Sequence, residues 1–570
     1  MNGRMIDLKA KPFYLSDEDI DWVERTKASL SLEEKLEQLF FAMSFSYDEQ
    51  YLEEKILSKK PGGLMFYSGK TEDLYEAYRF AQEHSGIPLL LAANLEAGGN
   101  GAVKEGTVFG KQMQVAATRD VEQAYRLGKI ACREAQAVGC NYALAPVVDI
   151  DLNYHNPITN VRTYGSDQEA VKKFGLAYLK AAVECGMAVA VKHFPGDGVD
   201  EVDQHILTSV NTLSCEEWDK TYGAVYKSFI EADALTVMVG HIAMPAYQKK
   251  FNPEHQDKLI PASLSEELLQ KLLREQLGFN GMTITDSSRM AGFLCAMDRE
   301  KAVPYCIEAG CDMLLFTKNY EEDLAFMKKG YETGILSERR LEQALTRILA
   351  TKAALRLHEK QAKGALIPDR ENLSVIGCKQ HKMWAKECAE KAVTLVKDTQ
   401  KLLPLSPKKH KRVLLEIMGK CRSEGRVSSR FKAQMEKEGF EVTCYEEEVF
   451  DFSKKPEFET VTEFRNKYDL VIYIGNVENA SNKTTNRLNW HVPNGLGNNF
   501  PWFVEVVPTM FISLQNPYHL LDVPMIKTYI NAYSNHDIMI DTVVEKILGK
   551  SPFAGKSPVD PFCGKDYLKY

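Results

Sequence analysis

Between about residues 60 and 320 the chain alternates short, unbroken apolar runs with longer amphipathic stretches. The runs are GGLMF, PLLLAAN, YALAPVVD, AVAVKHF, LTVMVGH, MTITD and DMLLFT; segments such as DVEQAYRLGKIACREAQAVG and SEELLQKLLREQLG lie between them. A strand that is apolar at every position has both faces covered, as in a parallel sheet with helices on either side. Seven such units over this length predict a (β/α)8-like TIM barrel with one degenerate unit, rather than an open sheet. After about residue 358 the stretch KQAKGALIPDREN is polar and carries Gly and Pro, which predicts a linker. A second α/β series follows, KRVLLEIMG, YDLVIYIGN, PTMFISLQNPY and MIKTYINAYS, and predicts a smaller α/β sandwich domain. The expected division is a catalytic barrel over 1–358, a linker over 359–375 and a C-terminal domain over 376–570.

Polar residues break the pattern at one kind of place. Asn94, Asp149, Lys192, His193, His241 and Asp286 all fall at the C-terminal ends of predicted strands. In a barrel those ends form the rim where active sites are built, so six on one rim point to a site. A formal charge of −8 with 44% hydrophobic residues argues against nucleic acid and for a small ligand. The opening MNGRMIDLKAKPFYLSDEDI has no apolar core for a signal peptide, and no apolar run approaches a membrane span. The 12 cysteines are scattered without a CxxC pair. They predict reduced thiols of a cytoplasmic protein rather than disulfides or zinc.

The densest chemistry lies in KHFPGDGVDEVDQH, Lys192 to His205. Asp203 and His205 are two apart and share a face of an extended segment. There the carboxylate can fix the imidazole tautomer and leave the other nitrogen for proton transfer. A divalent metal site with His193 and a plain solvated loop are the rival readings. Asp286 closes MTITD, where a carboxylate can be a nucleophile, a base or a helix cap. Arg162, in NPITNVRTYGSDQE, is a loop cation that can fork onto hydroxyls or a carboxylate.

These segments together resemble glycoside hydrolase family 3, in particular its bacterial β-N-acetylglucosaminidase branch. KHFPGDGVDEVDQH is similar to that branch's KHFPGHG-x4-D-x-H loop, and LAPVVDIDLNYHNPITNVRTYGSD to its APV-D-x-D…R-[ST]-[FY]-G-x-D segment. GFNGMTITDSSRM resembles the strand that carries the family nucleophile. AVTLVKDTQKLLPL, SLQNPYHLLDVP and GKSPFAGKSPVDPF resemble the sandwich attached to the barrel in many members. The resemblance implies that Asp286 attacks the anomeric carbon. It implies that His205, oriented by Asp203, is general acid and then base. Arg162, Lys192 and His193 would grip sugar hydroxyls, with Asn94, Asp151 and Met290 completing the substrate-binding set. No cofactor or metal is implied.

Three departures stand out. NLEAGG replaces the usual D-Q-E-G-G, placing Asn94 at the aspartate; the arginine that follows in relatives is replaced around Val103 and Lys104; and Asp197 stands for a histidine. The resemblance implies an exo-acting, retaining β-N-acetylglucosaminidase with water as acceptor. A β-glucosidase-type specificity, a phosphorylase and a catalytically dead sugar-binding protein are the alternatives. Arg487, Trp490 and Trp502 are candidates for contact between the second domain and the site, or else fold residues.

Overall fold

The computed structural model describes residues 6–254, 258–419, 423–446, 459–490 and 500–570. The chain forms two compact units. The first comprises the chain up to Phe109, then Val121–Lys382 and Ser481–Thr484; the second comprises Gly110–Asp120, Met383–Ala480 and Thr485–Tyr570.

Eight parallel strands form the first unit's sheet: β1 Phe40–Ser44, β2 Gly63–Phe66, β3 Leu90–Ala93, β4 Tyr142–Ala143, β5 Ala188–Phe194, β6 Thr236–Val239, β7 Met282–Thr285 and β8 Leu314–Leu315. Their order is sequential, with β8 beside β1, and a parallel bridge between Ile284 and Met313 joins β7 to β8 and closes the barrel. The strands are buried along almost their whole length, as their unbroken apolar runs require. The unit absent from the seven sequence runs is β1, FFAMS. It begins three residues after the helix Leu32–Glu37 ends, so LEQLFFAMS shows no break between helix and strand. Asp312, just before β8, locks the closing seam. It accepts from Thr283 N at 2.9 Å and ion-pairs with Arg274 at 2.8 Å, Arg340 at 3.0 Å and Arg347 at 3.5 Å.

The expected linker is part of the barrel unit. Tyr75 donates to Pro368 O at 2.9 Å and Arg370 pairs with Glu76 at 2.7 Å, so the Pro-bearing stretch is pinned instead of free. Unit one therefore runs to Lys382, inside the helix Lys379–Ala392, and not to 358.

The second unit holds a six-stranded sheet: β9 Thr394–Asp398, β10 Arg412–Met418, β11 Glu441–Cys444, β12 Leu470–Gly475, β13 Thr509–Ser513 and β14 Thr528–Asn531. The order is β9-β14-β13-β12-β10-β11, with only β9 antiparallel to its neighbour. Alternate residues feed two cores: Val413, Leu415, Ile472, Ile474 and Ile512 on one face, Leu414, Val471, Tyr473 and Phe511 on the other. Arg487 pairs with Asp522, Trp490 packs on Tyr473, and Trp502 packs on Phe464, so all three serve this unit's own packing. The eleven cysteines among the described residues are free thiols, and no described helix is long and apolar enough to cross a membrane.

Candidate active site

The polar strand ends converge on the barrel's C-terminal rim. Asp286, the residue after β7, is anchored by its own N–H to Val239 O at 2.8 Å. Its Oδ1 accepts from Ser287 N at 2.7 Å. Its Oδ2 lies 3.8 Å from His193 Nε2, too long for a hydrogen bond. Burial pushes the Asp286 carboxyl up, but His193, His241 and His205 outweigh it and hold the group below the ordinary carboxylate range. A half-buried aspartate kept ionised and flanked by imidazoles is poised to attack an electrophilic carbon.

His193 is fixed from behind. Its Nδ1 meets Asp149 Oδ2 at 2.7 Å and its backbone N–H donates to Asp149 Oδ1 at 3.2 Å, which sets the ring plane and turns Nε2 towards Asp286. His241 is fixed differently, by Ser263 Oγ at 2.8 Å and Ser287 O at 3.0 Å, and burial holds it below the usual imidazole range.

A second cluster stands on β3 and β5. Arg162 donates two parallel bonds to Glu96, Nε to Oε2 at 2.9 Å and Nη2 to Oε1 at 2.8 Å, and Lys192 Nζ lies 2.7 Å from Oε1. Lys192 also donates to Asn94 Oδ1 at 3.2 Å. Burial raises the Glu96 pKa, yet the two cations hold it well below its ordinary value. Glu96, which matches the glutamate of the D-Q-E-G-G pattern, thus holds both cations, while Asn94 takes a single bond from Lys192. The loop turns Glu96 inward because Gly101 folds back on the strand end: a Cβ there would lie 1.9 Å from Asn94 O. Sequence reasoning missed Glu96; the signal was a lone acid before a Gly-Gly pair. Of the residues at the replaced arginine, Val103 is buried and Lys104 is exposed.

Asp203 and His205 form a pair as their spacing predicts. His205 Nδ1 and N lie 2.7 and 2.9 Å from Asp203 Oδ1, while Asp203 Oδ2 accepts from Asn482 N at 2.7 Å. Asn482 lies in Ser481–Thr484, the short stretch that belongs to the barrel unit. Burial raises Asp203, but His205 and the backbone donors hold it below the ordinary range. Among the described residues His205 Nε2 has no hydrogen-bond partner, and a quarter of the side chain is exposed, so a proton can pass there. The loop is clamped by Gln204, whose Oε1 accepts from His241 N at 2.7 Å and whose Nε2 donates to Asp197 Oδ2 at 3.3 Å. Asp197, the third departure, also takes Gly198 N at 2.7 Å and Asn156 Nδ2 at 3.1 Å. Burial and the neighbouring Asp149 push its carboxyl up to about 8. It is a buried strut for the loop.

Two expected sugar contacts are placed otherwise. Asp151 accepts from Thr159 Oγ1 at 3.0 Å and Asn160 N at 3.2 Å, bracing the turn that carries Arg162. Met290 is buried beyond Asp286, its N–H bonded to Ser287 O at 3.0 Å. His, Cys, Asp or Glu atoms spaced to share a metal occur, among the described residues, at Asp19, His358 and Glu359, and not at these strand ends.

Residues 31–351 match the glycosyl hydrolase family 3 N terminal domain. The chain belongs to glycoside hydrolase family 3. This family 3 enzyme is 42% identical over 570 residues to a beta-N-acetylglucosaminidase/beta-glucosidase of Cellulomonas fimi, covering 98% of this chain and 99% of that protein. Among solved structures it is similar to the beta-glucoside phosphorylase BglX, at TM-score 0.92 and 43% identity over 98% of this chain and 99% of that one. A family 3 beta-N-acetylglucosaminidase from Paenibacillus shares the fold at TM-score 0.76 and 22% identity, covering 94% of this chain and 99% of that one.

Proposed function

We propose that this family 3 glycosidase cleaves terminal β-linked glucose or N-acetylglucosamine with retention, and that inorganic phosphate is its acceptor. In the first step Asp286 Oδ2 attacks the anomeric carbon, the bond to the leaving oxygen breaks, and His205 Nε2 gives that oxygen its proton. The product is a glycosyl ester on Asp286. In the second step a phosphate oxygen attacks the same carbon, the ester bond breaks, and Asp286 leaves as a carboxylate. Two inversions return the β configuration in a glycosyl 1-phosphate. The 3.8 Å gap between His193 and Asp286 suits a bridging sugar hydroxyl. Arg162 and Lys192, charge-balanced by Glu96, supply donors to the remaining hydroxyls.

The observation that supports this reading is the His205–Asp203 pair, 2.7 Å apart, which offers an imidazole as the candidate acid/base. With an imidazole as acid/base in place of a second carboxylic acid, an anionic acceptor approaching Asp286 would meet no anionic base. The 43% identity to a beta-glucoside phosphorylase over 98% of the chain supports it. The name of the Cellulomonas fimi relative supports both sugars.

Phosphorus NMR on a nitrophenyl β-glucoside and its N-acetyl counterpart, each with millimolar phosphate, tests the proposal. A sugar 1-phosphate should accumulate and the rate should rise with phosphate. Free sugar at a phosphate-independent rate would return the enzyme to the hydrolysis expected from its sequence resemblance.

A further inference from the structure

The rim carries a second feature that the catalytic groups leave unused. The loops after β1, β7 and β8, with the helix Glu49–Lys55, enclose a cavity of about 410 Å³. In the barrel β7, β8 and β1 are consecutive, whereas Glu96, Asp149, Lys192 and His193 come from β3 to β5 and the loops after them. Asp286 follows β7, three residues before the lining residue Arg289.

Three cations, Lys55, Arg289 and Lys318, line this cavity against a single acid, Glu321. Glu321 is 3.8 Å from Lys59, outside the lining. Arg289, three residues after Asp286, is half-buried. Its guanidinium lies 5.6 Å from the ring centroids of both Phe45 and Phe316, and its Nη2 is 3.2 Å from Met43 Sδ. Those contacts hold the group in place and stabilise its charge in part, but they supply no anion. Among the described residues no carboxylate lies within ion-pair distance of Lys55, Arg289 or Lys318. A held, planar guanidinium without an anion presents two parallel donors to a carboxylate or phosphate. The wall beside it is aromatic: Phe45 is 62% exposed and packs at a tilt against Tyr67, itself 50% exposed, with ring centroids 5.2 Å apart. The volume exceeds what one phosphate ion fills and falls within the range of small-molecule sites, roughly 300–1,000 Å³.

We infer that this cavity is an oxyanion subsite beside the nucleophile, on the leaving-group side, with Arg289 as its fork and Lys55 and Lys318 as supporting charges. The oxyanion is either borne by the leaving group of the glycoside or is the free phosphate acceptor. Only the second source rests on the acceptor proposed above.

The test uses Arg289→Met and Lys318→Met in the full chain, with Arg289→Lys as a control that keeps charge but loses the fork. One arm, without phosphate, compares kcat/KM for the β-glucosides of 4-hydroxybenzoate and of its methyl ester. The intrinsic reactivity difference of the two leaving groups is common to all variants and cancels in the ratio. The other arm measures KM for phosphate with a neutral nitrophenyl glucoside. Arg289→Met should lower the benzoate preference or raise the phosphate KM by about tenfold or more. Lys318→Met should do so by less, and Arg289→Lys should fall between. A change confined to the first arm places the anion on the leaving group; one confined to the second identifies it as the acceptor. Ratios and phosphate KM that stay within about twofold in both Met variants overturn the inference. A wild-type enzyme indifferent to phosphate removes the acceptor proposal only, and the benzoate arm still decides this one. Lys318 is exposed, so its variant keeps the test valid if Arg289→Met fails to fold.

Discussion

Asp203→Asn probes how much of the acid/base function rests on the carboxylate behind the imidazole. Asp203 receives three N–H groups: His205 Nδ1 at 2.7 Å and His205 N at 2.9 Å on Oδ1, and Asn482 N at 2.7 Å on Oδ2. Asparagine keeps the volume but turns one acceptor into an NH2 donor. With its oxygen towards His205, the NH2 faces the Asn482 N–H, donor against donor. With the amide reversed, the imidazole loses the acceptor that orients it. Either way the negative charge beside the imidazolium disappears. A hydrogen bond to a charged group is worth about 1.5–3 kcal/mol. At about 1.4 kcal/mol per tenfold, that is a loss of roughly 10- to 150-fold in kcat/KM for a β-linked disaccharide. An activated nitrophenyl glycoside, whose leaving group departs without a proton, should lose no more than about threefold. His205→Ala should widen the gap to about 10²–10⁴-fold, and the activated substrate should keep its turnover when phosphate or azide is the acceptor, since neither anion needs a base. Parallel kcat/KM measurements on the two substrates give the answer, with circular dichroism to confirm the fold. Equal losses on both substrates would refute the dyad.

Four further outcomes are expected. Glu96→Gln, which answers one of its two cations with an NH2, should lower kcat/KM by about tenfold or more in steady-state kinetics. Asn94→Ala, which removes a single 3.2 Å bond from Lys192, should have a much smaller effect. Asp197 titrates near 8 when folded, against about 4 when unfolded, so between those values the folded chain holds a proton that the unfolded chain has released. Stability should therefore fall as pH rises through that window, by at most about 1.4 kcal/mol per pH unit, and Asp197→Asn should flatten the slope in urea titrations. Asp312→Ala leaves Arg274, Arg340 and Arg347 buried without their anion and should destabilise the barrel unit by about 3–5 kcal/mol in the same assay.

The barrel was legible because parallel strands covered on both faces read as unbroken apolar runs, and Asp149, Lys192, His193, His241 and Asp286 ended those runs. β1 was not, because its apolar residues follow a helix without a break in periodicity. The Asp203–His205 pair was legible from spacing, since residues two apart on an extended segment share a face. Glu96 was missed and Asp151 was expected to bind sugar, because their loops decide where they point. Gly101 lets one loop close and aim Glu96 at two cations, while the Thr159–Asn160 turn draws Asp151 away. Glu96 meets Arg162 across 66 residues, and no local pattern records such a contact. The same holds for Asn482, which meets Asp203 across 279 residues.

The central claim is that Asp286 carries the sugar between the two steps. Incubation with an activated 2-fluoro β-glucoside, which slows turnover of the ester, followed by peptide mass spectrometry tests it most directly. The account predicts one fluorosugar per chain, on the peptide containing Asp286, and no label in Asp286→Asn of intact fold. A label on any other carboxylate, or retained labelling of the Asn variant, would contradict it.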